Sequence, residues 1–453
     1  MKNKLFKIFK AVIKRWVKKP ELIISLSFLI LILIGAILLA LPIASKNGKS
    51  IGFINALFTS ASASCVTGLV VVNTTSYWSV FGKFVIILLI QMGGLGTMLI
   101  ISLVSLMLGR KIGLTERLLI KEGAGLDSYS GIVKLSKNII IFSLVVEFIG
   151  ALVLYIRLNQ IYGSFTGLIY SLFHSISAFC NAGFDIFGNS LVDFKGDLVI
   201  NLSIAFLIII GGLGYSVFYD IYKSRRFRKL ALHSKVALTI TAFLILFGTI
   251  SFYLLEYKEP SMHGFTQKEK ILSSFFMSVT SRTAGFNSLN IGLMKGSSVV
   301  LTILLMFIGA SPASTGGGIK TTTFGVLVMS TFSVLRGDEE VSIFKKRIPM
   351  EVILRSITIF FFASGIVLFV SMVITLIEGE KFFFLDILYE TVSAFATVGI
   401  TRGITPFLSN FSKIILTFLM FIGRVGPTTV ALGLLKRKNK KLTKYAKGKI
   451  IVG

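Results

Sequence analysis

The chain has 453 residues, 54% of them hydrophobic and only 15% charged, with a mean hydropathy of +0.85. Soluble domains carry about 25% charge, so this composition excludes an ordinary soluble enzyme, and its apolar content excludes a disordered chain. The net charge of +28 fits the excess of Lys and Arg that polytopic membrane proteins keep on their cytoplasmic side better than a nucleic-acid surface, and no nucleic-acid partner is expected.

The first 19 residues are basic and amphipathic. The apolar run after them is too long for the h-region of a signal peptide, so no cleaved leader is expected. Eight long apolar segments follow, at 22–41, 80–108, 133–155, 198–222, 236–257, 297–335, 352–377 and 412–435. Runs of this length can cross a bilayer. With the N-terminus inside, the inner stretches 1–20, 109–137, 222–235, 335–355 and 436–453 hold 33 of the 48 Lys and Arg, against 12 in the outer ones. That asymmetry predicts a multi-pass protein of the cell membrane, held in lipid, with both termini cytoplasmic. Two cysteines cannot build a disulfide framework, and Cys65 and Cys180 read as small packing residues.

The segment 297–335 is too long for one helical crossing: 39 residues would reach about 58 Å, nearly twice the hydrocarbon thickness. Its middle reads Gly309, Ala310, Ser311, Pro312, Ala313, Ser314, Thr315, Gly316, Gly317, Gly318. Proline and a glycine triplet break a helix. Two separate crossings would place Arg336 and Arg347 outside, against the charge rule. One crossing with a non-helical insert is therefore expected. At membrane depth such an insert is tolerated only where protein buries it or where it lines a water-filled cavity. A phosphate-binding loop does not fit, because Ile319 separates the glycines from Lys320 and no strand precedes them.

The outer stretches repeat. Phe58, Phe173, Phe275 and Tyr389 each stand ten positions before a glycine, namely Gly68, Gly183, Gly285 and Gly399. Each of these glycines is followed by an apolar residue. A second match follows 24 to 28 residues later, at Gly93, Gly211, Gly309 and Gly423. The expected fold is an all-α polytopic membrane protein made of four concatenated span–pore loop–span repeats around a pseudo-fourfold central pore. The expected divisions are 21–110, 111–222, 223–336 and 337–435, between basic tails 1–20 and 436–453. Dehydrating a cation requires oxygens in place of water, and a ring of backbone carbonyls on extended chain supplies them. Glycine permits the backbone such a turn needs. Half-helices entering from outside would point their partly negative C-terminal ends at the cation.

On these residues the chain, from about residue 20 to 435, resembles the Trk/Ktr/HKT superfamily of potassium transporters, most of all the membrane subunit of Ktr systems. The matching filter segments are Val66-Thr67-Gly68, Asn181-Ala182-Gly183, Thr283-Ala284-Gly285 and Thr397-Val398-Gly399. The resemblance implies potassium uptake through a four-loop filter, gated by the 310–318 segment and by Arg424. Glycine at all four filter positions resembles potassium-selective members. The resemblance also implies a homodimer with one pore per protomer and a cytoplasmic ring of nucleotide-binding regulatory subunits, of ATP/ADP or NAD type. It implies no resident cofactor, and it leaves sodium open as an activator beside the transported potassium. The alternative is a sodium-coupled or less selective monovalent-cation secondary transporter, which would predict inverted repeats; here all four repeats share one orientation. No nucleophile elbow, zinc pattern or dinucleotide fingerprint suggests an enzyme.

Arg424 is the most informative single charge. It lies 12 residues before Lys436, about 18 Å deeper if the helix is continuous. Its equivalents in the other repeats, Gly94, Gly212 and Ala310, are uncharged. A charge at that depth is read as functional by default, with a structural ion pair as the rival. His174, Arg282 and Glu390 on the half-helices read as packed or paired structural groups. Glu147 lies within a span, and its sequence names no partner.

Overall fold

The structure, a computed structural model, describes residues 20–96 and 132–426. Both basic tails, most of the 109–137 stretch and the ends of the second and eighth apolar runs lie outside the described residues. Among the described residues, four helices are each long and apolar enough to cross a membrane: α1 (Pro20–Ala40), α4 (Ile132–Tyr162), α8 (Leu232–Glu256) and α12 (Met350–Glu378). Their apolar residues face outward for most of their length. In water that would be untenable, and in lipid it is the expected state.

A short helix follows each long one: α2 (Phe53–Ser64), α5 (Ser164–Phe179), α9 (Gln267–Thr280) and α13 (Phe384–Phe395). These have 12 to 16 residues, about 18 to 24 Å, too short to span. Their C-terminal halves are buried almost completely. Only α9 opens on a capping box, in which Thr266 and Glu269 satisfy each other's backbone amides.

A third helix then runs back: α3 (Val80–Leu95), α6 (Leu198–Leu213), α10 (Gly296–Phe307) and α14 (Asn410–Val425). Ser79, Asp197 and Ser409 cap three of them by accepting from amides of the first turn. The sequence order long, short, returning helix thus occurs four times among the described residues.

The returning helices stop sooner than the apolar runs predict. α3 and α14 end at Gly96 and Gly426, with φ of 85° and 98°. The run 198–222, expected as one crossing, bends by 89° at Gly214 between α6 and α7 (Tyr215–Ser224). Gly214 has φ 82°, and a Cβ there would lie 2.6 Å from the carbonyl oxygen of Ala313. The bend arises because the loop of the third unit occupies the space beside Gly214. Apolarity extends through the break and does not reveal it. The third unit breaks four residues earlier in its repeat: α10 ends at Phe307, two residues before Gly309, and α11 (Thr321–Arg336) begins after a non-helical stretch.

A small hairpin, β1 (Ser342–Ile343) and β2 (Lys346–Arg347), joins α11 to α12. Phe344 and Lys345 at its tip both have positive φ, as a two-residue turn matched to strand twist requires.

Candidate functional site

The four short helices converge and end at Cys65, Cys180, Ser281 and Ala396. In each, the chain then turns through a residue of positive φ, one intervening residue and a glycine. Positive φ occurs at Val66 (59°), Asn181 (59°), Thr283 (83°) and Thr397 (51°), and again at Gly68, Gly183, Gly285 and Gly399. A β-branched residue in that region is a true outlier. Such strain persists where surroundings over-determine it, and it clusters at functional sites.

The glycines close a ring in chain order. A Cβ on Gly68 would lie 2.5 Å from Ala182 O, on Gly183 2.6 Å from Ala284 O, on Gly285 2.6 Å from Val398 O, and on Gly399 2.0 Å from Thr67 O. Each turn therefore rests on the next, and the fourth rests on the first. Neither the backbone conformation nor the space admits a side chain.

The turn amides are satisfied from behind. Thr67 N donates to Ser62 O at 2.7 Å, Ala182 N to Ser177 O at 2.8 Å, and Val398 N to Ser393 O at 2.9 Å. Gly68 N and Gly399 N donate to the hydroxyls of Ser62 and Ser393, each at 3.0 Å. The Ser177 hydroxyl donates to Phe184 O at 2.7 Å. The third unit differs: its hydroxyl comes from Thr280, five residues before the glycine rather than six, and donates to Phe286 O at 2.7 Å. Phe275, ten positions before its glycine, is half-buried there, and the adjacent Phe276 is fully buried. Sequence reading missed these four hydroxyls, although Ser62, Ser177 and Ser393 sit at one spacing from their glycines.

The carbonyls face the opposite situation. Among the described residues, no hydrogen bond ends on the carbonyl oxygens of residues 66–68, 181–183, 283–285 or 397–399. Buried carbonyls are almost always paired. A ring of unpaired ones, at the negative ends of four helix dipoles, is suited to replacing the water around a cation and repels an anion.

Above the ring is a cavity of ≈ 370 Å³, with the four glycines among its lining. The outer loops around it are tied across units. Asn73 Nδ2 donates to Gly188 O at 2.7 Å. Asn287 N donates to Ser190 Oγ at 2.8 Å, and Leu191 N to Asn287 O at 2.8 Å. His174 Nε2 accepts from Ile186 N at 3.3 Å while its Nδ1 lies 2.7 Å from Tyr170 O. Those contacts assign the proton to Nδ1. Glu390, at the equivalent place in the fourth unit, accepts from the Thr405 hydroxyl. Both side chains brace the loop that leaves the ring. Arg282 reaches Thr241 on α8. Glu147 accepts from Gln91 Nε2 at 3.1 Å through each oxygen, so its partner is an amide of the neighbouring unit.

Below the ring lies the break between α10 and α11. Gly317 N donates to Thr397 Oγ1 at 2.9 Å, and a Cβ on Gly316 would lie 2.2 Å from Thr283 Oγ1. Ser311 N and Thr315 N donate to the carbonyls of Gly212 (2.9 Å) and Gly211 (3.3 Å) at the end of α6. Of the loop's three hydroxyls, only that of Thr315 reaches another unit, donating to Phe179 O at 3.3 Å. Ser311 pairs with Thr321 at 3.0 Å, and Ser314 donates to Ser311 O at 2.5 Å. These two hold the loop's own shape. Lys320 Nζ turns back to Gly316 O at 2.6 Å.

Arg424 joins three units at this level. Its guanidinium donates to Thr315 O in the loop and to Gly93 O and Gly94 O at the end of α3. These partners are carbonyls and not the carboxylate that a structural ion pair requires. The structure therefore brings the loop, Arg424 and the underside of the ring together.

A family model described as "Cation transport protein", TrkH, matches residues 2–443. The chain is 43% identical over 441 residues to the Ktr system potassium uptake protein B of Bacillus subtilis, covering 97% of this chain and 98% of that protein. It is 39% identical over 443 residues to the potassium/sodium uptake protein NtpJ of Enterococcus hirae, covering 96% of this chain and 97% of that one. The crystal structure of the potassium transporter TrkH from Vibrio parahaemolyticus matches with a TM-score of 0.72 at 17% identity, over 92% of this chain and 84% of that one. Four convergent short helices, a closed ring of glycine turns and relatives matched along nearly their full length lead to one conclusion: the chain belongs to the TrkH family of cation transport proteins and is a multi-pass membrane transporter, not an enzyme.

Proposed function

We propose that this chain is the potassium-translocating subunit of a Ktr-type uptake system. The observation that carries this reading is the ring of buried carbonyls that accept no hydrogen bond. Potassium collects in the outer cavity, sheds water at the ring and descends toward the cytoplasm. The membrane potential drives it with about 2.3 kcal/mol per charge per 100 mV. Residues 66–68, 181–183, 283–285 and 397–399 form the selectivity filter. The four divisions 21–110, 111–222, 223–336 and 337–435 each contribute one quarter of the pore. The 310–318 segment, held by Arg424 and by the filter itself, is the gate.

The gate answers to a cytoplasmic nucleotide-binding partner, and the chain works as a homodimer with its termini on the partner's side. Support comes from the names of relatives, which describe Ktr potassium uptake systems, and from the excess of basic residues in the inner stretches. Rubidium uptake by a potassium-uptake-deficient host, with and without the partner, tests this reading. Saturable uptake that the partner raises is the expected result. Uptake that is absent in both conditions refutes it.

A second reading, a less selective carrier of potassium and sodium, is favoured by the likeness to the potassium/sodium uptake protein NtpJ. Competition by external sodium separates the two. Under the first reading, sodium at tenfold excess leaves rubidium uptake intact or stimulates it.

A further inference from the structure

Two ionisable side chains stand in the wall of the cavity above the ring, Asp185 and Arg402. A guanidinium is out of place there if the cavity gathers cations, because walls of low dielectric focus the field of any charge in a cleft. Arg402 is not alone, however. Its Nε lies 2.6 Å from Asp386 Oδ1, and the two side chains are only 19% and 17% exposed. Asp386 sits in the first turn of α13 and is not among the residues lining the cavity. It therefore meets Arg402 from behind the wall. Asp185 is held separately, its Oδ2 accepting from Gly188 N at 2.7 Å. Glu390 also stands behind the wall, bonded to Thr405, whose hydroxyl pairs with that of the lining residue Thr401, but Asp386 is the carboxylate that meets the guanidinium. The charge of Arg402 at the mouth is cancelled only while Asp386 is ionised beside it.

We propose that Asp386 is the charge-balancing residue of the mouth. By neutralising Arg402 from behind, it sets the cation concentration directly above the ring, and with it the half-saturation of transport, without touching the ion. The inference rests on the reading of the ring as the cation's route. Arg402 follows Gly399 by three residues, so the same pair also fixes the loop that leaves the fourth turn. A purely structural role for the pair is the rival that the test must separate.

The test is rubidium uptake against external rubidium, with the full-length chain and its partner in membranes of a potassium-uptake-deficient host. Asp386→Asn removes a negative charge and should raise the half-saturating concentration about threefold at unchanged maximal rate. Arg402→Gln should lower it by a similar factor. The double variant restores the formal charge and should return close to wild type. All shifts should shrink when an impermeant salt raises the ionic strength. Single variants that both shift in the same direction would identify a structural pair and overturn the inference, as would unchanged half-saturation. Where Asp386→Asn fails to accumulate, Arg402→Gln decides alone, and a half-saturation at or above wild type overturns the inference. Saturable wild-type uptake keeps these outcomes separate from a failure of the route itself; without it, both readings fall.

Discussion

The hydroxyl of Thr397, the first residue of the fourth ring turn, accepts a 2.9 Å hydrogen bond from the amide of Gly317 in the intramembrane loop. Ring and loop are thus in direct contact through the threonine side chains of the third and fourth turns. A Cβ on Gly317 would lie 2.4 Å from that same hydroxyl. Any displacement of the loop must break this bond. Thr397→Val keeps the shape of the side chain but leaves the Gly317 amide without its acceptor, a penalty of about 1–3 kcal/mol for a buried donor. Basal rubidium uptake in the absence of the partner should rise at least several-fold, while Thr397→Ser should behave as wild type. Equal basal uptake in Thr397→Val and wild type would show that the bond does not hold the loop.

Arg424 draws together Thr315, Gly93 and Gly94 through their carbonyls. Its removal frees the loop and removes a positive charge from a narrow path of low dielectric, where repulsion of a cation is strong. Arg424→Ala and deletion of Ser314–Gly318 should both raise transport and weaken its dependence on the partner. The measurement is partner-free uptake normalised to the amount of protein in the membrane. If Arg424 is instead a structural anchor, the alanine variant will be lost from the membrane rather than leak.

Gly68 combines a φ of 95° with a projected Cβ 2.5 Å from the carbonyl oxygen of Ala182. Gly68→Ser should weaken discrimination of potassium over sodium, read as inhibition of rubidium uptake by each ion. Gly399 is tighter, 2.0 Å from Thr67 O, and Gly399→Ser should reduce folded protein as well. Gly48, with φ 64° and nothing within 4 Å of its projected Cβ, supplies the control: Gly48→Ala should leave selectivity intact.

The orientation has its own test. A reporter fused after Gly453 should be cytoplasmic, and one inserted beside Lys258, between α8 and α9, should be external. Both reporters on one side of the membrane would contradict four repeats of common orientation.

What could be read in the sequence was whatever recurred at fixed spacing. The aromatic-to-glycine distance located all four turns, because a backbone that must adopt positive φ four times repeats its glycine four times. The break at Gly309–Gly318 was equally visible, since proline and three glycines cannot continue a helix. The bend at Gly214 was not. One glycine inside an apolar run is common, and this one ends a helix only because Ala313, from another unit, lies against it. The pairing of Glu147 with Gln91 was hidden for the same reason, as it depends on which units are neighbours. The offset of Thr280 in the third unit shows the limit of strict register: a hydroxyl one residue away performs the task of its counterparts.

The ring closes where the last turn meets the first, with Gly399 against Thr67. These residues are 332 positions apart in the sequence, so the ring is incomplete until the fourth turn has been synthesised. A nascent or truncated protein that lacks the fourth turn holds three sides of a ring and no enclosed opening.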